Sequence, residues 1–375
     1  MNLITYLTRI QFGAGAISVL AEELALLGVR TPLVITDQGL VATGLIARVK
    51  DMLPGTVALY DGTPGNPTEA AVLDAVAVYR RDGCDGIVAV GGGSSIDLAK
   101  GVALLATHPG PLDQYAAILG GVARISADMP PLIAIPTTAG TGSEVGRAAL
   151  ITLTDGRKLG FISPHLIPNV AICDPELTLG LPPGLTAATG MDAISHCIET
   201  FLSPRFNPPA EAIGLDGLAR AIRWLPKAVE NGADLEARSE MMMAALQGGM
   251  CFQKGLGAVH AMSHPLGGLE APRLHHGTLN AVLMPAVLRY NEAYCGDKYA
   301  RLRGAMGLAA DADVADFLAD LNVRLGMPQS LSAMGVPAEC LPAMIAGAVK
   351  DHSTATNPRP MAEADYATLF EQVWA

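Results

Sequence analysis

Apolar positions along the first half of the chain alternate between two periods. In AISVLAEELALLGVR, Ile17, Leu20, Leu24 and Leu27 recur at the spacing of one helix face, and TPLVITD follows as a short unbroken apolar run ending at Asp37. A helix and then a buried strand are predicted. NPTEAAVLDAVAVYRRDGCDG repeats the order, with Pro67 near the helix start, Val72, Val76 and Tyr79 on one stripe, and glycines at the stop. IVAVGGGSSIDLAK reads as strand, glycine turn and helix, and PLIAIP as a further strand running into the hydroxyl-rich loop TTAGTGSE. Strands that are apolar at consecutive positions, with helices between them, are covered on both faces, so an α/β unit with a parallel sheet is expected. Beyond about Leu181 the strand-like runs give way to GLTAATGMDAISHCIETFL, AEAIGLDGLARAIRWLPKAV and EARSEMMMAALQGGMCFQKG, all helical in texture. The Pro- and Gly-rich LGLPPGLT is the expected boundary, dividing an α/β domain at residues 1–180 from an all-helical domain at 181–375.

Composition narrows the partners. Half of the 375 residues are hydrophobic and 16% are charged, enough for about two buried cores. The formal net charge of -11 argues against nucleic acid or an anionic membrane surface, both of which call for an excess of Lys and Arg. A small-molecule partner fits better. Cys84, Cys173, Cys197, Cys251, Cys295 and Cys340 show no CxxC pairing, which sets aside a zinc ribbon or disulfide framework and favours a reducing cytoplasm. No run of ~18 apolar residues and no signal-like N-terminus is seen, so neither membrane spanning nor secretion is expected.

Two sets of residues carry chemistry. In VGGGSSID, glycines that admit close approach precede a helix N-terminus, a combination suited to a pyrophosphate, with Gly93 and Ser94 as candidate contacts. Asp37 closes the preceding strand, where an acid would bond a ribose 2'-hydroxyl and repel a 2'-phosphate, favouring NAD over NADP; taken alone it is also a good helix cap. Thr137, Thr138 and Thr141 offer donors at the end of the next strand. The second set lies in the helical half. Asp192 and His196 are four apart, as are His260 and His264, and LHHGTLNA adds His275 and His276. Residues four apart share a helix face, and burying an acid with several imidazoles in apolar helices is costly unless they are paired or metallated. One carboxylate with imidazoles and no thiolate suits Fe(II), Zn(II), Ni(II) or Co(II).

The stretches GGGSSIDLAK, PTTAGTGSEV, TGMDAISHCIE, VHAMSHPLGG and HHGTLNAVLMP, in this order and with a late NPRP, resemble the iron-containing (group III) alcohol dehydrogenases over nearly the whole chain. The resemblance implies an N-terminal dinucleotide-binding domain, an all-helical metal-binding domain, NAD and a divalent metal, Fe(II) or Zn(II), between them, a small alcohol or aldehyde substrate, and a homodimer. Carried over by position, the metal ligands would be Asp192, His196, His260 and His276, with His264 lining the site near the nicotinamide without being a ligand; passing the proton to solvent, by His264 or by the ribose hydroxyls through it, is a separate hypothesis of mechanism. The cofactor would touch Asp37, Asn66, Gly93, Ser94, Thr137, Thr138 and Lys158. The chain departs from the pattern in three places: a longer interval before the HG histidine, which lets His275 compete with His276; Gly146 and Arg147 after SEV; and Lys254 in FQKG, where many relatives have Asn. Lys254 precedes His260 by six positions, so it is expected either to reach the cleft and pair with a substrate carboxylate or to extend its ammonium to the surface. Within the family the resemblance is greatest to the branch that interconverts 4-hydroxybutyrate and succinate semialdehyde, a carboxylated pair that would use such a lysine. Glycerol dehydrogenases, dehydroquinate synthases and a metal-dependent hydrolase are the competing readings.

Overall fold

The computed structural model describes residues 8–53, 55, 57–269 and 271–375. The first unit carries β1 (Arg9–Phe12), α1 (Leu20–Leu26), β2 (Pro32–Ile35), α2 (Gln38–Ala42), α3 (Leu45–Asp51) and β3 (Ala58–Tyr60). It continues through α4 (Glu69–Arg81), β4 (Gly86–Gly91), α5 (Gly93–Thr107), β5 (Leu132–Pro136), β6 (Ala148–Thr152), β7 (Lys158–Ile162) and β8 (Val170–Cys173). Six strands form a sheet in the order β1-β8-β5-β4-β2-β3, every neighbouring pair parallel, while β6 and β7 make a separate antiparallel pair.

The unbroken apolar strands follow from two cores. Ile87 and Ala89 of β4 join Val72, Ile96 and Leu132 on one face of the sheet, whereas Val88 and Val90 join Leu20, Val34 and Val49 on the other. With both faces buried, no strand position favours a polar residue. After β2 the chain moves outward to β3, and after β4 it moves the opposite way to β5. The reversal puts a crevice outside the carboxyl ends of β2 and β4, the place where open parallel sheets take ligands.

The second unit is helical: α6 (Pro183–Leu202), α7 (Pro208–Glu230), α8 (Leu235–Cys251), α9 (Ala258–Leu266), α10 (His276–Asn291), α11 (Lys298–Met306), α12 (Val314–Arg324), α13 (Leu341–Lys350) and α14 (Glu363–Trp374). Every residue of α6 from Thr186 to Leu202 is buried, so this helix is enclosed on all sides. Small residues permit that enclosure. A Cβ on Gly277 would lie 2.1 Å from the Ala188 carbonyl oxygen, so only glycine lets the start of α10 cross α6 this closely.

The sheet unit ends at Thr178, and the helical unit runs from Leu179 but also takes in Ala139–Gly142. A single cut after residue 180 therefore misplaces those four residues. A Cβ on Gly140 would meet Thr189 at 2.7 Å and one on Gly142 would meet the Gly249 backbone at 2.4 Å, close packing that binds the loop to α6 and α8. Among the described residues all six cysteines are free, and no helix is long and apolar enough to cross a membrane.

Candidate active site

Helix periodicity puts Asp192 and His196 on one face of α6, and α9 and the first turn of α10 bring imidazoles to meet them. His196, His260 and His276 place their Nε2 atoms 3.4, 3.9 and 3.6 Å from Asp192 Oδ1, and one ligand atom from each of the four lies within 4.8 Å of the others. Donors at ~2.1 Å around a tetrahedral cation stand about 3.4 Å apart, so the four side chains could hold one divalent metal by drawing closer together. His275 takes no part. It stands at the N-cap of α10 and is exposed, whereas His276 is the first helical residue and turns inward.

The two buried imidazoles His196 and His260 are shifted in opposite directions. Burial pushes His196 down to about 4, with Asp192 opposing and His260 reinforcing the shift, so the ring presents a lone pair. At His260 burial also disfavours the cation, but the bond and charge of Glu199 outweigh it and the value is raised. Glu199 Oε2 accepts from His260 Nδ1 at 2.6 Å, which fixes the tautomer with Nε2 toward the cluster, while Oε1 accepts from the Val259 N–H at 2.7 Å. Asn280 Nδ2 donates to Asp192 Oδ1 at 2.7 Å. Neither residue was singled out from the sequence. The available signal was helical spacing: Glu199 lies seven positions after Asp192 and Asn280 four after His276, each on the ligands' own face. Because such carboxylate–histidine partners tune a metal site, Glu199→Gln is expected to weaken metal affinity by about 10–100-fold, read by chelator competition, with the helical content unchanged.

His264 is not in the four-donor cluster. Its ring stacks on His276 at 5.6 Å, and its Nδ1 donates to Asp351 Oδ2 at 2.8 Å. His264, Asp351 and His352 are near enough to one another to be weighed as a second cation site. The 2.8 Å separation is instead that of a charge-assisted hydrogen bond. Burial would raise the Asp351 carboxyl, but His264, His352 and the Ser353 N–H together hold it well below the usual range, so it is an anion.

Lys254 requires a correction. The helical pattern does not continue through FQKG: α8 stops at Cys251, Phe252–Lys254 form a tighter 3-10 turn, and Gly255 at φ +100° breaks the chain before α9. The lysine is buried rather than at the surface. Its Nζ donates to the carbonyl oxygens of Thr200, Phe201 and Ser203 at 2.9, 3.0 and 2.6 Å and pairs with Glu211 Oε1 at 3.2 Å. It thus neutralises the carboxyl end of α6, where orphan carbonyls and the helix dipole attract a cation, and its donors are committed away from any substrate.

In the sheet unit the expected nucleotide residues gather at the β2/β4 crevice and its borders. Gly91 has φ +155°, and a Cβ there would strike the Ser95 side chain at 2.5 Å, so the turn from β4 into α5 demands glycine. Gly92 caps α5 and Gly93 opens it. The Ser94 hydroxyl donates to the Gly65 carbonyl at 2.6 Å, tying this turn to the loop carrying Asn66, whose Oδ1 accepts from Lys158 Nζ at 3.0 Å. Thr137 donates its N–H to the Gly91 carbonyl at 3.0 Å, with Thr138 beside Gly92. Asp37 follows β2, half-buried, and caps α2 by accepting from the Leu40 N–H at 3.0 Å. The capping alternative thus describes a role it does perform.

A parallel sheet with a glycine turn at its reversal point, in one chain with a helical unit bearing one carboxylate and three imidazoles, is the make-up of a metal-dependent, dinucleotide-linked oxidoreductase. Residues 8–175 match the iron-containing alcohol dehydrogenases and residues 186–374 match the C-terminal part of the same family. The chain is 58% identical to a 4-hydroxybutyrate dehydrogenase of Cupriavidus necator, over 99% of this chain and 100% of that one. Among solved structures, a 1,3-propanediol oxidoreductase superposes with TM-score 0.93 at 39% identity, covering 100% of both chains. A sulfoacetaldehyde reductase from Bifidobacterium kashiwanohense, solved in complex with NAD+, superposes with TM-score 0.90 at 28% identity, covering 100% of this chain and 98% of that one. The chain belongs to the iron-containing alcohol dehydrogenase family and is an oxidoreductase.

Proposed function

We propose that the protein transfers a hydride between NAD(H) and the primary alcohol–aldehyde pair 4-hydroxybutyrate and succinate semialdehyde, as a homodimer in a reducing compartment. The reaction class is carried by one observation, the four-donor cluster of Asp192, His196, His260 and His276 spaced for a single divalent ion. The substrate reading is supported by the 58% identity over the full chain. A divalent metal held by those four residues supplies Lewis-acid polarisation of the substrate oxygen. The residues of the chain do the rest. Asp192 contributes the one anionic ligand, Glu199 keeps Nε2 of His260 turned to the site, and burial keeps His196 neutral. His264, oriented through Nδ1 by Asp351, is assigned the passage of the substrate proton away from the site. Gly93, Ser94, Asn66, Thr137, Thr138 and Lys158 are assigned to the nucleotide, and the charge of Asp37 to the choice of NAD over NADP.

Steady-state assays test this reading, using the Fe(II)- or Zn(II)-loaded protein with NAD and NADP against 4-hydroxybutyrate, 1,3-propanediol, lactaldehyde and glycerol. NAD-linked turnover with the highest kcat/KM on 4-hydroxybutyrate is expected. No nicotinamide absorbance change across the panel with metal present would return the metal-dependent hydrolase to favour.

A further inference from the structure

The withdrawal of Lys254 leaves a carboxylated substrate without the cation first assigned to it. A second candidate stands beside the metal cluster. The rings of His276, His264 and His352 form a ladder: His264 lies 5.6 Å from His276 with planes 10° apart, and His352 lies 5.7 Å from His264 with planes 16° apart. One end of the ladder belongs to the four-donor cluster, and at the other the His352 side chain is 37% exposed. Asp351 sets the spacing between the last two rings. Its Oδ2 accepts from His264 Nδ1 at 2.8 Å, and its Oδ1 accepts from the Ser353 N–H at 2.8 Å and faces His352 Nδ1 at 3.6 Å.

We infer that His352 recognises the substrate's carboxylate, at the end of the imidazole ladder that begins at the metal ligand His276. This rests on the 4-hydroxybutyrate reading given above. The geometry supports it by reach. From hydroxyl oxygen to carboxylate oxygen an extended four-carbon hydroxy acid spans five bonds, or about 6 Å. Adding ~2 Å from oxygen to metal and ~2.8 Å from carboxylate to an imidazole N–H gives about 11 Å. Ring steps of 5.6 and 5.7 Å put the His352 ring no farther than about that length from the ring of the ligand His276. The chemistry agrees, since an imidazole offers an N–H donor and, when protonated, a positive charge. His264 occupies the middle of the ladder with its Nδ1 committed to Asp351, and His352 is the ring at the exposed end, within that reach.

The test compares an acid with its uncharged counterpart. In the wild type, kcat/KM for 4-hydroxybutyrate should exceed that for 1,4-butanediol, and His352→Ala should lower that ratio about tenfold, mainly through KM for the acid. His352→Arg should restore much of it. Titration calorimetry of the zinc-loaded protein with butyrate gives a readout without turnover, and His352→Ala should weaken that binding about tenfold. An unaltered ratio in His352→Ala, or loss of bound zinc in the variant, overturns the proposal while leaving the substrate reading intact. A wild type with no preference for the acid overturns both.

Discussion

Asp192→Asn is expected to yield a folded protein that retains roughly a tenth or less of the wild-type metal and loses about 10³-fold in kcat/KM, the worth of several kcal/mol of Lewis-acid stabilisation. The substitution preserves size and keeps an oxygen acceptor for Asn280, whose bond to Oδ1 is 2.7 Å in the wild type. What it removes is the one negative charge among the four donors. Three neutral imidazoles and an amide hold a divalent cation poorly, because no anion offsets the cost of taking the ion out of water. Metal content by elemental analysis, turnover and far-ultraviolet circular dichroism together check it. A variant with full metal and full turnover would refute the assignment of this cluster as the centre of the chemistry.

Lys254→Met is expected to damage stability instead of substrate choice. Removing the ammonium takes the Lys254 donor from the buried Thr200 carbonyl, whereas Lys298 still donates to the carbonyls of Phe201 and Ser203 and, with Arg301, still pairs with Glu211. Leaving a buried carbonyl without its donor costs about 1–3 kcal/mol, so the helical unit should melt about 5 °C lower, at roughly 2–4 °C per kcal/mol. The pH dependence has a definite sign. Burial, reinforced by Lys298 and opposed by Glu211, depresses Lys254 to about 8. An unfolded lysine titrates near ~10.4, so between about pH 8 and 10 the unfolded chain binds more protons and folding gains from a rise in pH. Below about 8 the lysine is charged in both states and this gain is absent. The stability gap between wild type and Lys254→Met should therefore widen from pH 8 toward 10, as denaturant titrations would show. If the melting temperature were unchanged and KM rose for carboxylated substrates alone, the lysine would belong to the substrate after all.

The two positions mark how far the sequence could be read. Asp192 and His196 were recognisable because their relation is local: four residues on a helix share a face wherever the helix goes. The same holds for the glycine turn, where strand, turn and helix are consecutive, and for the parallel sheet, whose strands show burial on both faces in their own composition. Lys254 was misread because its relation to His260 depended on one helix continuing between them, and Gly255 at φ +100° ended it. Glu199 was passed over because its partners, the N–H of Val259 and the ring of His260, lie some sixty positions away.

By itself the sequence determined the kinds of elements, the i, i+4 pairs of ligand-type side chains, and the glycines that a strand-to-helix turn requires. These follow from backbone geometry and hydrophobic periodicity over a dozen residues. Only the tertiary structure decided that His276 and not His275 joins the cluster, that Lys254 closes a helix end, that Ala139–Gly142 belong with the helices, and that Asp351 holds His264 beside His352. The reason is the same in each case. Which of two adjacent side chains faces inward, and which distant carboxylate an imidazole meets, depend on how separate helices cross, and that is settled by packing among segments far apart in the chain.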